Sequence, residues 1–276
     1  MRFAYCFALA ALFVLTGCGS LKYKNINYLD QDYTQQESLP TLNIFRPKNT
    51  GNNNDVLIFV HGGNWDSGNK GLYSQLGRNF ARKGMLTVIP GYTLSPGADV
   101  KTMTEQITEA VTWTHEHIKD FGGNPNRIFI TGHSAGGHLA ALATMNPAYL
   151  KDTSYIKGII LNDAAGLDMY SYLNEYPPTS EDHYLTTWGN TDSSWLEVSP
   201  INYIDENTPP MLIYLGTKTI PSIFKYNELF VLALQEVQPK VKPVLLDKKH
   251  KKMVIQYFWP WSKRFDEIKS FMKAQQ

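Results

Sequence analysis

This chain of 276 residues has few cysteines, a small net charge and only short apolar runs. Two cysteines are present, and 26 Lys and Arg residues stand against 25 Asp and Glu, for a formal net charge of +1. A balanced charge gives no electrostatic basis for binding a polyanion, so we expect no nucleic-acid partner. The longest apolar run, residues 3–15, is shorter than the roughly 20 residues that a membrane-spanning helix needs.

The N-terminus has the pattern of an exported and lipid-modified protein. Met1 and Arg2 precede the apolar run, as in a signal peptide. Residues 15–18, Leu-Thr-Gly-Cys, resemble the lipobox of bacterial lipoproteins. The resemblance implies a signal peptide at residues 1–17 and attachment to a membrane through lipid on Cys18. An ordinary secreted protein with another cleavage site is the alternative.

Two further expectations follow from this N-terminus. Gly19, and not Asp, follows the lipobox cysteine, which resembles outer-membrane lipoproteins and implies a location in the cell envelope, at the outer membrane of a Gram-negative bacterium. Cys6 lies in the predicted signal peptide, so Cys18 is the one cysteine left in the predicted mature chain. A disulfide within the monomer and a cysteine metal site are therefore excluded.

The remaining chain predicts one large α/β domain. Residues 18–38 are polar, which indicates a lipidated N-terminus and tether ahead of a domain at residues 39–276. Apolar strand candidates alternate with helix-length segments, and this alternation favours a mostly parallel sheet with helices on both faces. The candidates lie at residues 41–47, 55–60, 127–131, 159–161, 211–215 and 244–246. Residues 170–206 are irregular and predict a small insertion.

The most informative stretch is Gly-His-Ser-Ala-Gly at residues 132–136, between a strand-like and a helix-like segment. A strand that turns sharply into a helix lifts the serine out of the sheet in a strained conformation, and a side chain at either glycine would clash there. The helix N-terminus beside the serine favours developing negative charge. Ser134 is therefore the candidate nucleophile.

A second motif suits the same chemistry. The second apolar strand candidate ends in His-Gly-Gly-Asn-Trp at residues 61–65. A glycine pair just past a strand presents unobstructed backbone amides, so Gly62 and Gly63, with the amide of Ala135, are the predicted oxyanion-hole donors. We expect His61 to orient this loop by hydrogen bonding.

Together these motifs resemble those of the α/β-hydrolase esterases and lipases, a group that includes hormone-sensitive-lipase-like esterases, feruloyl and acetylxylan esterases, and kynurenine formamidases. Residues 91–96, 122–128 and 209–216 also resemble segments of that group, so the similarity runs from about residue 39 to the C-terminus. The resemblance implies an α/β-hydrolase fold, a Ser-His-acid triad, and neither a metal nor an organic cofactor. It also implies that the insertion lies over the active site as a partial lid.

The histidine of the triad is expected late in the chain, after the last strand. His250 follows the last strand candidate and precedes a helix-like segment at residues 262–274, so it is the predicted general base. Four lysines flank it: Lys248, Lys249, Lys251 and Lys252. They favour a neutral imidazole or an anionic substrate, and a solvated basic loop is the plainer explanation for them.

The triad acid is missing from its usual place. The resemblance predicts Asp at Thr219, and no acidic residue follows before Glu228. The protein is then inactive, or it works through a Ser-His pair without an acid, or its carboxylate lies at the end of the preceding strand. Residues 159–166, Ile-Ile-Leu-Asn-Asp-Ala-Ala-Gly, resemble the strand end that carries the acid in pancreatic-type lipases. We therefore assign Asp163 as the acid and expect Asp168 to fix a loop.

The sequence thus predicts a serine hydrolase that acts on carboxylic esters through Ser134, His250 and Asp163. The substrate would be a small-molecule ester or one linked to a polysaccharide. An arylformamidase-like amidase or a peptidase shares the same motifs and stays an alternative. A catalytically silent lipoprotein that binds at the cell surface on the same scaffold is another, and the absent carboxylate at Thr219 favours it.

Overall fold

The computed structural model describes residues 19–29, 39–48, 50–179 and 183–275. Within these ranges eight strands form one sheet. The strands are β1 (Ser20–Asn27), β2 (Thr41–Pro47), β3 (Asn54–Val60), β4 (Leu86–Pro90), β5 (Gly123–His133), β6 (Ile156–Asn162), β7 (Met211–Gly216) and β8 (Val244–Leu246). The α-helices of the described residues are α1 (Ser74–Arg82), α2 (Val100–His117), α3 (Ala135–Met145), α4 (Met169–Glu175), α5 (Tyr184–Trp188), α6 (Asp192–Glu197), α7 (Pro221–Gln235), α8 (His250–Ile255) and α9 (Arg264–Ala274).

The sheet is mostly parallel, as predicted. Its strand order is β1-β2-β4-β3-β5-β6-β7-β8. Strands β3 to β8 run parallel, whereas β2 is antiparallel to both β1 and β4. Because parallel strands all end at the same edge of a sheet, the residues that follow β3, β5, β6 and β8 come together there.

Alternate side chains of the central strands supply two cores, one on each face of the sheet. On one face, Val56, Ile58 and Val60 of β3 belong to a cluster with residues of α2, α3 and α7. On the other face, Leu57 and Phe59 belong to a cluster with residues of α1, α8 and α9. All five side chains are fully buried. Burial on both faces explains why this strand is apolar at every position from 56 to 60.

The structure corrects the predicted tether, because residues 20–27 form strand β1. The strand pairs with β2 at the edge of the sheet, and a bulge between Tyr23 and Ile26 interrupts its register. Asn25 has φ of 54° at this bulge. A bulge shifts the alternation of inward and outward side chains, so the sequence shows no period of two. The domain therefore begins no later than Ser20, and not at residue 39.

The predicted signal peptide and Cys18 lie outside the described residues, as do residues 30–38 of the predicted tether. Among the helices that the structure describes, none combines the length and the apolar character needed to cross a membrane.

The insertion at residues 170–206 is more regular than predicted, with α5, α6 and most of α4 inside it. These helices have five to seven residues, too few for a helical period to stand out in the sequence. Trp188 and Trp195 are buried, and the Trp188 ring meets the Trp65 ring edge-on at 4.7 Å. The insertion is therefore packed onto the body of the domain. Asp168 fixes its start, as predicted, by accepting a hydrogen bond from Ser171 N at 3.0 Å.

Candidate active site

Ser134 lies at the sharp turn between β5 and α3, with φ of 55° and ψ of −126°. A side chain at Gly132 would place Cβ 2.2 Å from the Gly136 carbonyl oxygen, and one at Gly136 would place it 2.2 Å from Val60 O. Both glycines are therefore required by the backbone, as the sequence predicts. The turn leaves the serine hydroxyl at the edge where the parallel strands end.

The structure brings Ser134, His250 and Asp163 together in one hydrogen-bonded chain. Ser134 Oγ lies 2.8 Å from His250 Nε2, and His250 Nδ1 lies 2.6 Å from Asp163 Oδ2. Asp163 is fully buried, and the His250 side chain is 17% exposed. Since the hydroxyl donates to Nε2 and Nδ1–H donates to the carboxylate, the arrangement suits removal of the serine proton.

Asp163 reaches His250 across the end of a strand to which neither residue belongs. It follows β6, has φ of 52°, and donates its own amide to Tyr214 O in β7 at 2.8 Å. Its Oδ1 accepts a hydrogen bond from Gly216 N at 2.8 Å, and its Oδ2 accepts one from the Thr219 hydroxyl. A left-handed conformation at a non-glycine residue is a strained feature typical of functional sites.

Two residues that the sequence analysis missed hold the helix of His250. His133 Nε2 donates to the His250 carbonyl oxygen at 3.1 Å, and the two rings stack at 4.6 Å. Asn162 Nδ2 donates to Met253 O at 3.0 Å. Both side chains come from neighbouring strand ends, since His133 pairs with Asn162 in the sheet. A motif search does not find them, because their partner lies about a hundred residues further along the chain.

The predicted oxyanion-hole residues lie around the serine. A Cβ at Gly62 would come 2.5 Å from His133 O, and one at Gly63, where φ is 135°, would come 1.9 Å from Ser67 O. Gly62 and Gly63 line the same cavity as Ser134 and His250. Ala135 is the first residue of α3, so its amide has no partner within the helix. Their role as oxyanion donors stays a prediction.

The loop that carries the two glycines is held by His61. This ring stacks on Tyr92 at 4.5 Å and on Tyr73 at 5.8 Å, and its Nδ1 lies 3.0 Å from Gly62 O. Tyr92 OH donates to the His61 carbonyl oxygen at 2.9 Å. Burial lowers the pKa of His61 to about 4, so the ring is neutral near pH 7. These contacts agree with the predicted orienting role.

Burial also keeps two other histidines neutral. It lowers the pKa of His133 to about 3, with the nearby His250 as the second cause, and the pKa of His138 to about 4. His138 Nε2 donates to Val198 O at 2.8 Å, and its Nδ1 accepts from Trp65 Nε1 at 3.3 Å. His138 therefore links the insertion to Trp65, which lines the cavity at Ser134. We refer to His61, His133 and His138 as the three buried histidines.

Two cavities meet at Ser134, and Asn64 and Ile220 also line both. The smaller cavity has a volume of about 130 Å³, with Tyr172 and Tyr184 of the insertion in its wall. The larger has a volume of about 510 Å³. Its wall contains His250, the two loop glycines and apolar side chains, which are Leu72, Tyr73, Val254, Ile255 and Phe258. The insertion thus borders the site, as the resemblance implies.

His133, Asp163 and His250 could also hold a metal ion, since one ligand atom of each lies within 4.8 Å of the others. In this structure the Asp163 carboxylate and His250 Nδ1 bond each other, and His133 Nε2 donates to a carbonyl oxygen. Their ligand atoms are therefore engaged in hydrogen bonds that orient His250 toward Ser134. The arrangement suits proton transfer better than metal coordination.

A parallel sheet with a serine turn after β5 and a histidine after β8 defines the α/β-hydrolase fold, and solved structures agree. The chain is similar to an inhibited esterase B from Lactobacillus rhamnosis, with a TM-score of 0.76, 20% identity, and coverage of 93% of this chain and 87% of the other. It is also similar to a truncated carbohydrate esterase from gut microbiota, with a TM-score of 0.75, 18% identity, and coverage of 94% and 97%. At these identities the likeness concerns the fold.

The chain belongs to the BD-FAE family, whose model matches residues 42–221. It is 26% identical over 233 residues to a probable isoprenylcysteine alpha-carbonyl methylesterase ICMEL1 of Arabidopsis thaliana, covering 75% of this chain and 47% of the relative. It is 30% identical over 177 residues to esterase LipQ of Mycobacterium tuberculosis, covering 59% and 41%. The chain spans less than half the length of these two relatives. The resemblance to α/β-hydrolase esterases is confirmed.

Proposed function

We propose that the protein is a serine carboxylesterase in which Ser134 is the nucleophile, His250 the general base and Asp163 the residue that orients the base. The observation that carries the proposal is the hydrogen-bonded chain from Ser134 Oγ through His250 to Asp163, with links of 2.8 and 2.6 Å. Distances of this kind let a proton pass from the hydroxyl to the imidazole. The esterase names of the relatives support the same reaction class.

In the acylation step, His250 Nε2 removes the Ser134 proton while Oγ attacks the ester carbonyl carbon. The carbonyl oxygen becomes an oxyanion, which the amides of Gly62, Gly63 and Ala135 would bind. The imidazolium then gives its proton to the leaving alcohol, and the acyl group stays on Oγ. In the second step His250 removes a proton from water, which attacks the acyl-enzyme carbonyl carbon. The bond to Oγ then breaks, the imidazolium returns the proton to Ser134 Oγ, and the acid leaves.

The two cavities then take different parts of the ester. His250 must protonate the leaving alcohol, so the alcohol belongs in the cavity of about 510 Å³ that His250 lines, and the acyl group belongs in the cavity of about 130 Å³. A cavity of about 150 Å³ holds benzene, so the smaller one accommodates an acyl chain of about four carbons. The proposed substrate is an ester of a short acid with a larger, partly apolar alcohol or a polysaccharide hydroxyl.

Two alternatives make different demands on the same site. An arylformamidase-like amidase or a peptidase uses the same groups but expels an amine, which the larger cavity would have to hold. A silent binding scaffold was favoured by the absent carboxylate at Thr219. The contact between Asp163 and His250 argues against that alternative, because it supplies a buried acceptor from another strand.

A fluorophosphonate probe and a series of p-nitrophenyl esters test the proposal. We expect the wild type to be labelled, and kcat/KM to be at least about tenfold higher for acetate and butyrate than for octanoate. Ser134→Ala should lose labelling and about 10³-fold or more of kcat, whereas Ser193→Ala, at an exposed serine, should lose neither. Absence of labelling in the folded wild type would support the silent scaffold, and a higher kcat/KM for formanilides would support the amidase.

We also propose that the protein is anchored in the cell envelope, at the outer membrane, through lipid on Cys18. The proposal is supported by the likeness of residues 15–18 to a lipobox. Acylation would provide a membrane attachment that does not depend on a spanning helix.

A further inference from the structure

Thr219 occupies the place where related esterases are expected to carry the triad acid. It lies in the turn that follows β7, where Thr219 N donates to Gly216 O at 3.2 Å. Its hydroxyl bonds Asp163 Oδ2 and lies 3.3 Å from His250 Nδ1. A single hydroxyl therefore touches both members of the acid–base pair.

The direction of these hydrogen bonds follows from the donors available. An ionised carboxylate only accepts, and a threonine hydroxyl has one proton to donate. His250 Nδ1 carries a proton when Nε2 accepts from Ser134, so both Nδ1–H and the Thr219 O–H point at Asp163 Oδ2. The Gly216 amide donates to Oδ1. The fully buried carboxylate thus accepts three hydrogen bonds, which satisfies a group that would be costly to bury unpaired.

Two of these three donors come from the end of β7, the strand that lies between β6, which precedes Asp163, and β8, which precedes His250. Gly216 fixes one carboxylate oxygen and Thr219 fixes the other. Without these two donors, the carboxylate could adopt a broad range of its terminal torsion angle. The strand that would usually supply the acid therefore supplies the two donors that hold an acid from its neighbour.

We propose that Thr219 is a positioning residue, whose hydroxyl holds the Asp163 carboxylate in line with His250 Nδ1. This inference rests on the proposed triad. It assigns to this position a hydrogen-bond donor in place of a carboxylate. The side chain of Thr219 does not line either cavity at Ser134 in the described structure, so its effect is on turnover and not on substrate binding.

The test compares Thr219→Val, which keeps the shape and removes the hydroxyl, with Thr219→Ser, which keeps the hydroxyl. With p-nitrophenyl butyrate we expect kcat to fall about tenfold in Thr219→Val, KM to change less than about twofold, and Thr219→Ser to stay within about threefold of the wild type. Thr217→Val, at an exposed hydroxyl of the same turn, is the matched control and should match the wild type.

Thermal unfolding of each variant separates a loss of structure from a loss of positioning, and Thr219→Ala replaces Thr219→Val should the latter not fold. Wild-type kcat in the variant without the hydroxyl would overturn the inference, as would equal losses of kcat in Thr219→Val and Thr219→Ser. Asp163→Asn, measured in parallel, distinguishes failure of the inference about Thr219 from failure of the proposed triad. If it loses turnover while Thr219→Val does not, the triad stands and the inference about Thr219 fails. If both retain turnover, the proposed triad fails as well.

Discussion

Replacing Asp163 by Asn should nearly abolish turnover, for a reason that the hydrogen bonds around the carboxylate make specific. Gly216 N donates to Oδ1 at 2.8 Å, so the amide oxygen of an asparagine must take that position. The amide nitrogen then faces His250 Nδ1, where it can only donate. His250 has to accept at Nδ1 and carry its proton on Nε2, which leaves no base for the Ser134 hydroxyl.

The reverse orientation of the asparagine is also unfavourable. It would set the amide nitrogen against the Gly216 N–H, two donors facing each other at a fully buried position, which costs about 1–3 kcal/mol. Loss of the correct imidazole tautomer lowers kcat by about 10⁴-fold in a comparable triad. At about 1.4 kcal/mol for each factor of ten, this equals roughly 5.5 kcal/mol of lost transition-state stabilisation.

The assay is steady-state hydrolysis of p-nitrophenyl butyrate by Asp163→Asn beside Asp168→Asn. We expect kcat of Asp163→Asn to fall by about 10³- to 10⁴-fold with KM nearly unchanged, since Asp163 is buried away from both cavities. Asp168 only caps α4, and asparagine caps as well as aspartate, so its variant should keep its kcat. Turnover of Asp163→Asn within about tenfold of the wild type would refute the role of Asp163.

Three further results are expected. Asp163→Asn combined with Thr219→Asp should recover at least about tenfold of the lost kcat, because position 219 lies within reach of His250 Nδ1; no gain over the single variant would mean that the new carboxylate does not reach the imidazole. The free energy of unfolding should fall by about 2 kcal/mol between pH 7 and pH 5 for each of the three buried histidines. Their folded pKa values lie below the unfolded value of about 6.5, so the unfolded chain binds more protons in this pH range than the folded chain does. Urea titrations at several pH values measure this slope, and a flat profile would contradict it. Cys18→Ser should leave the protein unprocessed or soluble; membrane fractionation of that variant, with no palmitate labelling of the wild type, would reject the lipid anchor.

Local patterns predicted the parts of the site that depend on the chain near them. Gly132 and Gly63 are required by carbonyl oxygens four residues further along the chain, those of Gly136 and Ser67. Gly136 and Gly62 are required by the carbonyl oxygens of Val60 and His133, so at these two positions the motif predicted a contact between distant segments. The mostly parallel sheet could be predicted because apolar strands alternate with helix-length segments. Asp163 was assigned from a short strand-end motif, and the structure places its carboxylate beside His250.

Other features depend on contacts between distant segments. His133 and Asn162 act on α8 through carbonyl groups, which any residue type can offer, so the sequence carries no signal for them. Thr219 is notable in the sequence only as a missing aspartate, and its partner is 56 residues away. Strand β1 was missed because a polar edge strand with a bulge lacks the alternation that marks a half-buried strand.

Strand β1 leaves only a very short segment of chain between the folded domain and the proposed lipid anchor on Cys18. One residue, Gly19, separates Cys18 from the strand, and its carbonyl oxygen accepts a hydrogen bond from Lys48 N at 3.2 Å. Ser20 pairs with Pro47 at the edge of the sheet where the parallel strands begin. Ser134 lies at the opposite edge, and the two edges are about 20 Å apart because a seven-residue strand such as β3 has that length. With Cys18 acylated, the domain would lie against the bilayer, and the two cavities at Ser134 would open away from the lipid. Its substrates would then arrive from the aqueous side, as solutes or polymer chains, and esters dissolved in the same leaflet would be out of reach.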